Sequence, residues 1–291
     1  MDFTSDKAAK QPTLLLASAR KRATLRFTTL LLTSARKRPT LRSTIARMRI
    51  PRVYVDQPLL PGTAVVLPEQ AGEHLARVLR LERGHALILF NGDGCEYDAK
   101  LAALAKRAVS ADITGMRGVE HESPLSLTLA QAIARGEKMD WILQKATELG
   151  VARIVPVVTE RTEVKLDDER AERRMLHWQH VIAGACEQCG RTRLPQLESP
   201  QRLDRWVAAL AGDPAFKLAL LPAGDIGLRA LPKLAHGAVL CVGPEGGLSE
   251  KDIAMLRQGG FAGLRLGPRI LRTETAGIAA LAALQALQGD L

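Results

Sequence analysis

The residues that decide the fold are 238–258, which read AVLCVGPEGGLSEKDIAMLRQ. The segment Ala238–Val242 is continuously apolar, as expected for a strand that is buried on both faces of a parallel sheet. Ser249 can cap the helix that follows, with Asp252 at the capping-box position. The loop Gly243–Leu248 between them holds three glycines and a proline, so its backbone can approach a ligand closely. The same composition suits an ordinary strand-to-helix turn, and the residues alone favour neither interpretation.

A second segment repeats this design nearer the C-terminus. A strand is predicted at Phe261–Leu266 and a helix at Thr273–Leu287, and the loop between them has a Gly-Pro turn at Gly267 followed by apolar Ile270 and Leu271. Ligands bind at the carboxyl ends of the strands in open α/β sheets. Two loops of one design can therefore form one cleft, in which an adenine could lie between apolar side chains.

From Pro124 onward the chain alternates between predicted strands and predicted helices, which indicates an α/β domain with a largely parallel sheet. The other predicted strands are Leu125–Ala130, Val151–Val158 and Phe216–Leu221, and the other predicted helices are Gly136–Leu149 and Asp167–Gln188. No G-x-G-x-x-G follows a strand and no G-x-x-x-x-G-K-S/T is present. These absences argue against a Rossmann dinucleotide site and a P-loop.

Residues 48–120 predict a small β-barrel, because short predicted strands follow one another closely. They are Arg52–Val55, Ala86–Phe90, Cys95–Leu101 and Arg107–Thr114, with a hairpin turn at Asn91–Gly94 and a helix that opens at Pro68. Residues 117–124 are polar and end in proline, which is typical of a linker between domains.

Residues 1–47 differ in composition from the rest of the chain. They hold eleven basic and two acidic residues, which account for nearly all of the formal net charge of +10. A 13-residue unit that begins at Leu14 recurs almost unchanged from Leu30. We expect a disordered or spurious tandem duplication upstream of a true start at Met48. A basic RNA-binding tail and a targeting peptide are the alternatives.

The cysteines give only a weak metal signal. Cys186 and Cys189 form a C-x-x-C pair, but a zinc site usually needs two such pairs or added histidines. We therefore expect reduced thiols and no metal. No apolar run of 18 residues is present, so we also expect no membrane span. The expected location is the cytoplasm.

Basic residues gather at the ends of several predicted elements. Arg135 and Lys138 flank the start of one helix, and Arg191 and Arg193 flank Thr192 after the end of another. Such clusters can bind phosphates, although a solvated charged turn is the simpler interpretation of each one.

Four segments together resemble the RsmE family of 16S ribosomal RNA uridine-N3 methyltransferases, within the SPOUT superfamily. They are Arg135–Lys138, Ala185–Arg191, Val242–Ser249 and Leu266–Thr275. The resemblance runs from Met48 to the C-terminus. It implies a SPOUT-type α/β domain with a C-terminal trefoil knot at 124–291, a PUA-like RNA-binding β-barrel at 48–120, and a homodimer. The knot comes from the resemblance alone, since most chains avoid knots.

The resemblance also implies methyl transfer from S-adenosyl-L-methionine (SAM) to N3 of a uridine in 16S rRNA of the small ribosomal subunit. The implied cofactor-binding residues are Leu221, Pro222, Val242, Gly243, Pro244, Glu245, Gly246, Gly247, Leu266, Gly267, Ile270, Leu271, Arg272 and Thr275. N3 carries a proton at neutral pH, so the reaction needs a proton acceptor or a cation that stabilises the uridine anion. Arg272 and Glu274 are our candidates for anion stabilisation and proton handling.

The RNA contacts are expected from basic residues outside the cofactor loops. The candidates are Arg52, Arg135, Lys138, Arg191 and Arg193. Another RNA target, such as a tRNA guanine or a ribose 2′-hydroxyl, is the main alternative among enzymes. An RNA-binding assembly factor with a vestigial SAM pocket is the alternative outside enzymes.

Overall fold

The computed structural model describes residues 50–105, 108–163 and 168–291. The predictions of a disordered or spurious extension at residues 1–47 and of a start at Met48 lie outside the described residues. The α/β class with a small N-terminal β-domain is confirmed by two separate sheets. The trefoil knot and the domain boundaries stay predictions.

The N-terminal sheet has five strands in the order β1-β3-β4-β5-β2. They are β1 (Arg52–Tyr54), β2 (Ala64–Val66), β3 (Ala86–Phe90), β4 (Cys95–Ala105) and β5 (Ala108–Gly118), and the helix α1 (Glu69–Glu73) continues into a π-helical turn at His74–Val78. The predicted hairpin of β3 and β4 is confirmed. The strand β2 escaped prediction because three residues carry almost no periodic signal. The predicted linker begins too early, since Arg117 still lies in β5 and pairs with Glu96.

The C-terminal sheet has eight parallel strands in the order β11-β13-β10-β12-β6-β7-β8, with β9 also paired to β7. They are β6 (Leu127–Ala132), β7 (Arg153–Val158), β8 (Gln196–Leu197), β9 (Gln201–Arg202), β10 (Phe216–Leu220), β11 (Ile226–Gly227), β12 (Ala238–Val242) and β13 (Ala262–Arg265). The helices are α2 (Lys138–Glu148), α3 (Asp168–Cys189), α4 (Leu203–Ala209), α5 (Glu250–Gln258) and α6 (Thr273–Gln288). The helix α4 and the two-residue strands were not predicted, because short elements leave little periodic pattern.

Alternate residues of the central strands feed two hydrophobic cores, because successive side chains of a strand point to opposite faces. Leu240 and Val242 of β12 lie in the core that also contains Trp178 of α3 and Leu281 of α6. Val239 and Cys241 lie in the other core, with residues of α4 and α5. The sheet is thus covered by helices on both faces, as its continuous apolar strands predicted.

The predicted cap of α5 is confirmed in atomic detail. Ser249 Oγ accepts a hydrogen bond from the Asp252 N–H at 3.1 Å, and the Ser249 N–H donates to Asp252 Oδ2 at 3.0 Å. This reciprocal pair satisfies two of the free donors at the start of the helix. The start of α5 is therefore fixed at Ser249, and the glycine loop Gly243–Leu248 connects the end of β12 to this cap.

Candidate functional site

Three neighbouring strands end at one edge of the C-terminal sheet. The strands β13, β10 and β12 lie side by side and run parallel, so the loops that follow them emerge on the same side. These loops surround a cavity of about 630 Å³. This volume falls within the range that small-molecule sites occupy in proteins. The chain order alone did not reveal that β10 separates the two Gly-Pro loops.

Most of the predicted cofactor residues line this cavity. They are Leu221, Pro222, Val242, Gly243, Pro244, Glu245, Gly247, Leu266, Gly267, Ile270, Leu271 and Arg272. The predicted residues Gly246 and Thr275 are not among its lining residues. The carbonyl of Gly246 instead accepts a hydrogen bond from Arg161 Nη1 at 2.9 Å, and the Thr275 N–H donates to the carbonyl of Arg272 at 2.9 Å.

Two glycines of the first loop differ in how closely other atoms surround them. A Cβ at Gly243 would lie 3.0 Å from the backbone nitrogen of Leu248, which is too close for an unstrained contact. A Cβ at Gly246 would approach only Arg161, at an ordinary 3.5 Å. Gly243 therefore has a steric requirement for glycine that Gly246 lacks, and composition alone could not distinguish the two positions.

Glu245 anchors the first loop to the start of α2. Its Oε1 accepts hydrogen bonds from the Arg135 N–H and from Lys138 Nζ, each at 3.1 Å. Burial by itself would raise the pKa of Glu245, but these hydrogen bonds and the charge of Lys138 hold the pKa below its ordinary value. The segment Arg135–Lys138 is therefore joined to the cavity loop, a contact that the sequence analysis did not predict.

Glu274 places a carboxylate at the cavity wall in the first turn of α6. Its Oε2 is buried without a hydrogen-bond partner among the described residues, and its nearest cation is Lys138 Nζ at 3.8 Å. A carboxylate oxygen in this state has lone pairs available to a ligand N–H. Lys138, predicted as an RNA contact, instead lies between two carboxylates, those of Glu245 and Glu274.

Arg272 also lines the cavity, and its guanidinium makes no hydrogen bond or ion pair within residues 50–105, 108–163 and 168–291. Its backbone carbonyl caps α6 by accepting from the N–H groups of Thr275 and Ala276. The neighbouring Ile270 is 83% exposed although it lines the cavity. The second loop thus presents a free cation and an aliphatic side chain to whatever enters the cavity.

The predicted RNA-binding role of Arg191 and Arg52 does not agree with where the structure places them. Arg191 is 4% exposed, and its guanidinium donates to Glu122 and to the carbonyls of Thr147 and Val151. The Arg52 side chain pairs with Glu96 and donates to the carbonyl of Arg191 at 3.0 Å. Arg52 thus joins the N-terminal sheet to the α/β domain, whereas Arg191 joins Glu122 to the end of α2 and the start of β7. Both guanidinium groups are used within the fold.

The other two predicted RNA contacts remain at the surface. Arg193 is exposed and its guanidinium lies against Gly94, in the hairpin turn between β3 and β4. Arg135 forms a surface ion pair with Glu163. Both side chains can reach a phosphate without leaving a buried partner unpaired.

Several cavity residues were missed by the sequence analysis. They are Arg161, Leu220, Leu248, Ile253, Leu264, Arg269, Thr273 and Ala276. Arg161 follows β7 at the same edge of the sheet, so the strand-end rule could have found it. Thr273 lies between the two predicted catalytic residues, and its environment depends on a strand more than 140 positions away, which no local signal reports.

The sequence analysis also predicted reduced thiols, no metal site and no membrane span. Cys186 is buried and its Sγ–H donates to the carbonyl of Arg193. Burial raises the pKa of the Cys186 thiol to about 12. Within the described ranges, His, Cys, Asp and Glu side chains form no group of three or more that could hold a metal ion.

None of the helices in the described part of the chain is both long and apolar enough to cross a membrane.

Known protein families match both parts of this architecture. The family model of an RNA methyltransferase domain matches residues 121–285, and that of an RNA methyltransferase PUA domain matches residues 67–114. Ribosomal RNA small subunit methyltransferase E of Buchnera aphidicola subsp. Schizaphis graminum is 31% identical over 245 residues, covering 84% of this chain and 99% of the relative. The Bacillus subtilis protein of the same name is 32% identical over 231 residues, covering 75% and 89%.

Solved structures are similar to this chain over most of its length. A candidate methyltransferase from Legionella pneumophila, solved with bound SAM, is 44% identical with a TM-score of 0.80 and covers 84% of this chain and 100% of its own. Ribosomal RNA small subunit methyltransferase E from Neisseria gonorrhoeae, bound to SAM, is 39% identical with a TM-score of 0.78, covering 83% and 99%.

Proposed function

We propose, since this chain belongs to the family of ribosomal RNA small subunit methyltransferase E, that it transfers a methyl group from SAM to N3 of a uridine in 16S rRNA. The observation that carries the proposal is one cavity in which the loops after β10, β12 and β13 meet. The candidate reactive side chains Arg272 and Glu274 line the same cavity. The proposed SAM site and the proposed catalytic residues therefore share one cavity.

The residues around the cavity fit SAM. Aliphatic side chains such as Leu221, Leu266 and Leu271 offer faces for an adenine, and the glycine loops expose backbone amides and carbonyls for its polar edge. SAM supplies an electrophilic methyl group on a positively charged sulfur, so the chain itself needs to provide orientation, proton handling and charge stabilisation.

Glu274 is the proposed proton acceptor for the uridine N3–H. Its buried Oε2 has no hydrogen-bond partner among the described residues, so it can accept that proton without first breaking a hydrogen bond made there. Lys138 Nζ lies 3.8 Å from Oε2 of Glu274 and balances the negative charge of that carboxylate. Because Lys138 also donates a hydrogen bond to Glu245, it links Glu274 to the first loop. Arg272 is the proposed cation for the uridine anion, because its guanidinium has no partner in the described part of the chain.

Arg135 and Arg193 are the proposed contacts to rRNA phosphates, together with the N-terminal domain of residues 48–120. Both side chains are exposed, so each could leave its surface contacts and bind a phosphate at little cost in free energy. An rRNA substrate also implies that the protein works in the cytoplasm.

A homodimer built partly on α6 is the proposed assembly state. One side of this helix packs in its own chain through Ala280, Leu281 and Leu284. Its other side carries partly buried Ala279 and Ala283 and exposed Leu287, which is an apolar surface that a second copy could cover. Light scattering at micromolar concentration should show a dimer, and a monomer would contradict this assignment.

Methyl transfer to small ribosomal subunits that lack the mark tests the proposed reaction. Mass analysis of the nucleosides should find 3-methyluridine after incubation with the protein and SAM. A methylated guanosine or ribose would assign a different target. SAM binding without transfer to any RNA would favour the assembly factor.

A pair of glycine variants tests the assigned cavity. Gly243→Ala places a Cβ 3.0 Å from the backbone nitrogen of Leu248, so the loop must shift by a few tenths of an ångström at the cavity wall. SAM affinity should therefore fall about tenfold, which corresponds to about 1.4 kcal/mol. Gly246→Ala adds the same methyl group outside the cavity and should bind SAM as the unmodified chain does. Equal affinities for both folded variants in a calorimetric titration would place SAM elsewhere.

A further inference from the structure

A buried chain of hydrogen bonds joins the two loops of the cavity. Gln131 Nε2 in β6 donates to Thr273 Oγ1 at 2.9 Å, and Thr273 Oγ1 donates to the carbonyl of Gly243 at 2.6 Å. Gln131 is fully buried and Thr273 is 6% exposed. Gln131 does not line the cavity, whereas Gly243 starts its first loop and Thr273 ends its second.

The directions of these hydrogen bonds are fixed by chemistry. The carbonyl of Gly243 can only accept, so the single hydroxyl proton of Thr273 must point to it. The Thr273 oxygen therefore needs a donor on its other side, and the amide of Gln131 provides one. The same nitrogen donates its second proton to the carbonyl of Ala132 at 3.0 Å. The amide of Gln131 meets both requirements without placing a charge in the core.

The position of Gln131 makes a purely packing role a poor explanation. Every residue of β6 is buried, and an apolar side chain at position 131 would suit such a strand better. The Oε1 of Gln131 is buried without a hydrogen-bond partner among the described residues, which is unfavourable for stability. Gln131 also lies directly beside Val242 in the register of β6 with β12, one residue before Gly243.

We propose that Gln131 and Thr273 are positioning residues that hold the two cofactor loops at one fixed separation. This inference rests on the proposed function, because it assigns the chain of hydrogen bonds to SAM binding. Thr273 begins α6 between Arg272 and Glu274, so the same bond that fixes Gly243 also fixes the proposed catalytic pair. Loss of the hydroxyl lets the loops move apart although all the other side chains that line the cavity are still present.

Two substitutions at position 273 test the hydroxyl itself. Thr273→Val keeps the shape and removes both hydrogen bonds, so the Kd for SAM should rise about tenfold and kcat should fall with it. Thr273→Ser keeps the hydroxyl and should restore both values to within about twofold. Gln131→Met leaves the bond from Thr273 to Gly243 but removes its supporting donor, so its Kd should lie between those of the two Thr273 variants.

The far end of α6 offers a matched control. Gln285 is equally buried, donates to the carbonyl of Leu149 at 2.9 Å and accepts from Ser123 Oγ at 2.8 Å. Gln285→Met removes a buried amide network from the same helix without touching the cavity. It should lower the melting temperature as much as Thr273→Val does but leave the Kd for SAM unchanged.

The outcomes separate the inference from the proposed function. If the unmodified chain neither binds SAM nor methylates rRNA, the proposed function fails. If it does both, and Thr273→Val and Gln285→Met have the same Kd for SAM, the positioning role is wrong and the network is only structural. If Thr273→Val does not fold, a Gln131→Met variant that binds SAM with unchanged Kd overturns the inference equally well.

Discussion

Two arginine-bearing segments look alike in the sequence and differ completely in the structure. Residues 187–193 and 266–275 each combine a glycine, a threonine and two or more arginines at the boundary of a helix. Arg191 of the first segment is buried and donates to a carboxylate and two carbonyls. Arg272 of the second lines a cavity and has no side-chain partner in the part of the chain that the structure describes.

The difference shows that the role of an arginine side chain depends on the groups that surround its guanidinium in the folded protein. Arginine is suited to several simultaneous hydrogen bonds, so it can either join buried parts of a fold or bind an anion. The N–H groups of Arg191 that donate to Glu122, Thr147 and Val151 cannot bind a phosphate at the same time. Residues 187–193 are therefore expected to control stability, and residues 266–275 to control activity.

The largest expected effect concerns Cys186, which immediately precedes the first segment. Its thiol pKa of about 12 leaves only about one molecule in ten thousand as thiolate at pH 8. Alkylation by iodoacetamide at pH 8 should therefore be about a thousandfold slower than in the same chain unfolded in urea. Peptide mass mapping over time measures both rates, and similar rates would show that this region opens readily.

Arg191→Ala should destabilise the fold by about 3 kcal/mol, because it leaves Glu122 and two carbonyls without their donor. Urea denaturation followed by circular dichroism measures the change in the free energy of unfolding. The matched control is Arg272→Ala, which should stay within about 0.5 kcal/mol of the unmodified chain. A stable Arg191→Ala variant would remove the distinction between the two segments.

Arg272→Ala should lower kcat for rRNA methylation about a hundredfold, since it removes the proposed stabilising cation of the uridine anion. The Kd for SAM should change little, because the loss falls on the reacting base. Single-turnover methylation with saturating SAM measures the effect on the chemical step. A variant with unchanged kcat would show that another group stabilises the anion.

Arg193→Ala should have the smallest effect. Arg193 is exposed beside Gly94, and the loss of one phosphate contact should weaken rRNA binding a few-fold. The slope of log K against log salt should fall by about 0.7–0.9. Filter binding at several salt concentrations gives both values, and an unchanged slope would mean that Arg193 does not contact a phosphate.

The elements of the fold could be predicted where the sequence carries a strong local pattern. The helix α5 was predicted from Ser249 and Asp252, and their reciprocal hydrogen bonds are present. Buried strands such as β12 were predicted from unbroken apolar runs. Short elements such as β2 and β11 were not, because two or three residues cannot display a period.

The candidate site was predicted in part for the same reason. Glycine and proline after a strand mark a loop that can approach a ligand, and this signal identified both Gly243 and Gly267. It could not separate Gly243 from Gly246, because the difference depends on the backbone of Leu248. Nor could it find Gln131 or Thr273, whose importance lies in a contact between distant parts of the chain.

The sequence by itself determined the class of the fold, the two Gly-Pro loops and the capped helix that follows the first of them, since each depends on residues that are neighbours along the chain. Only the tertiary structure decided that β10 lies between β12 and β13, that Lys138 reaches both Glu245 and Glu274, and that Arg191 is buried. These features follow from strand order and long-range packing. A charged side chain carries no local mark that says whether water, a carboxylate or a ligand will surround it.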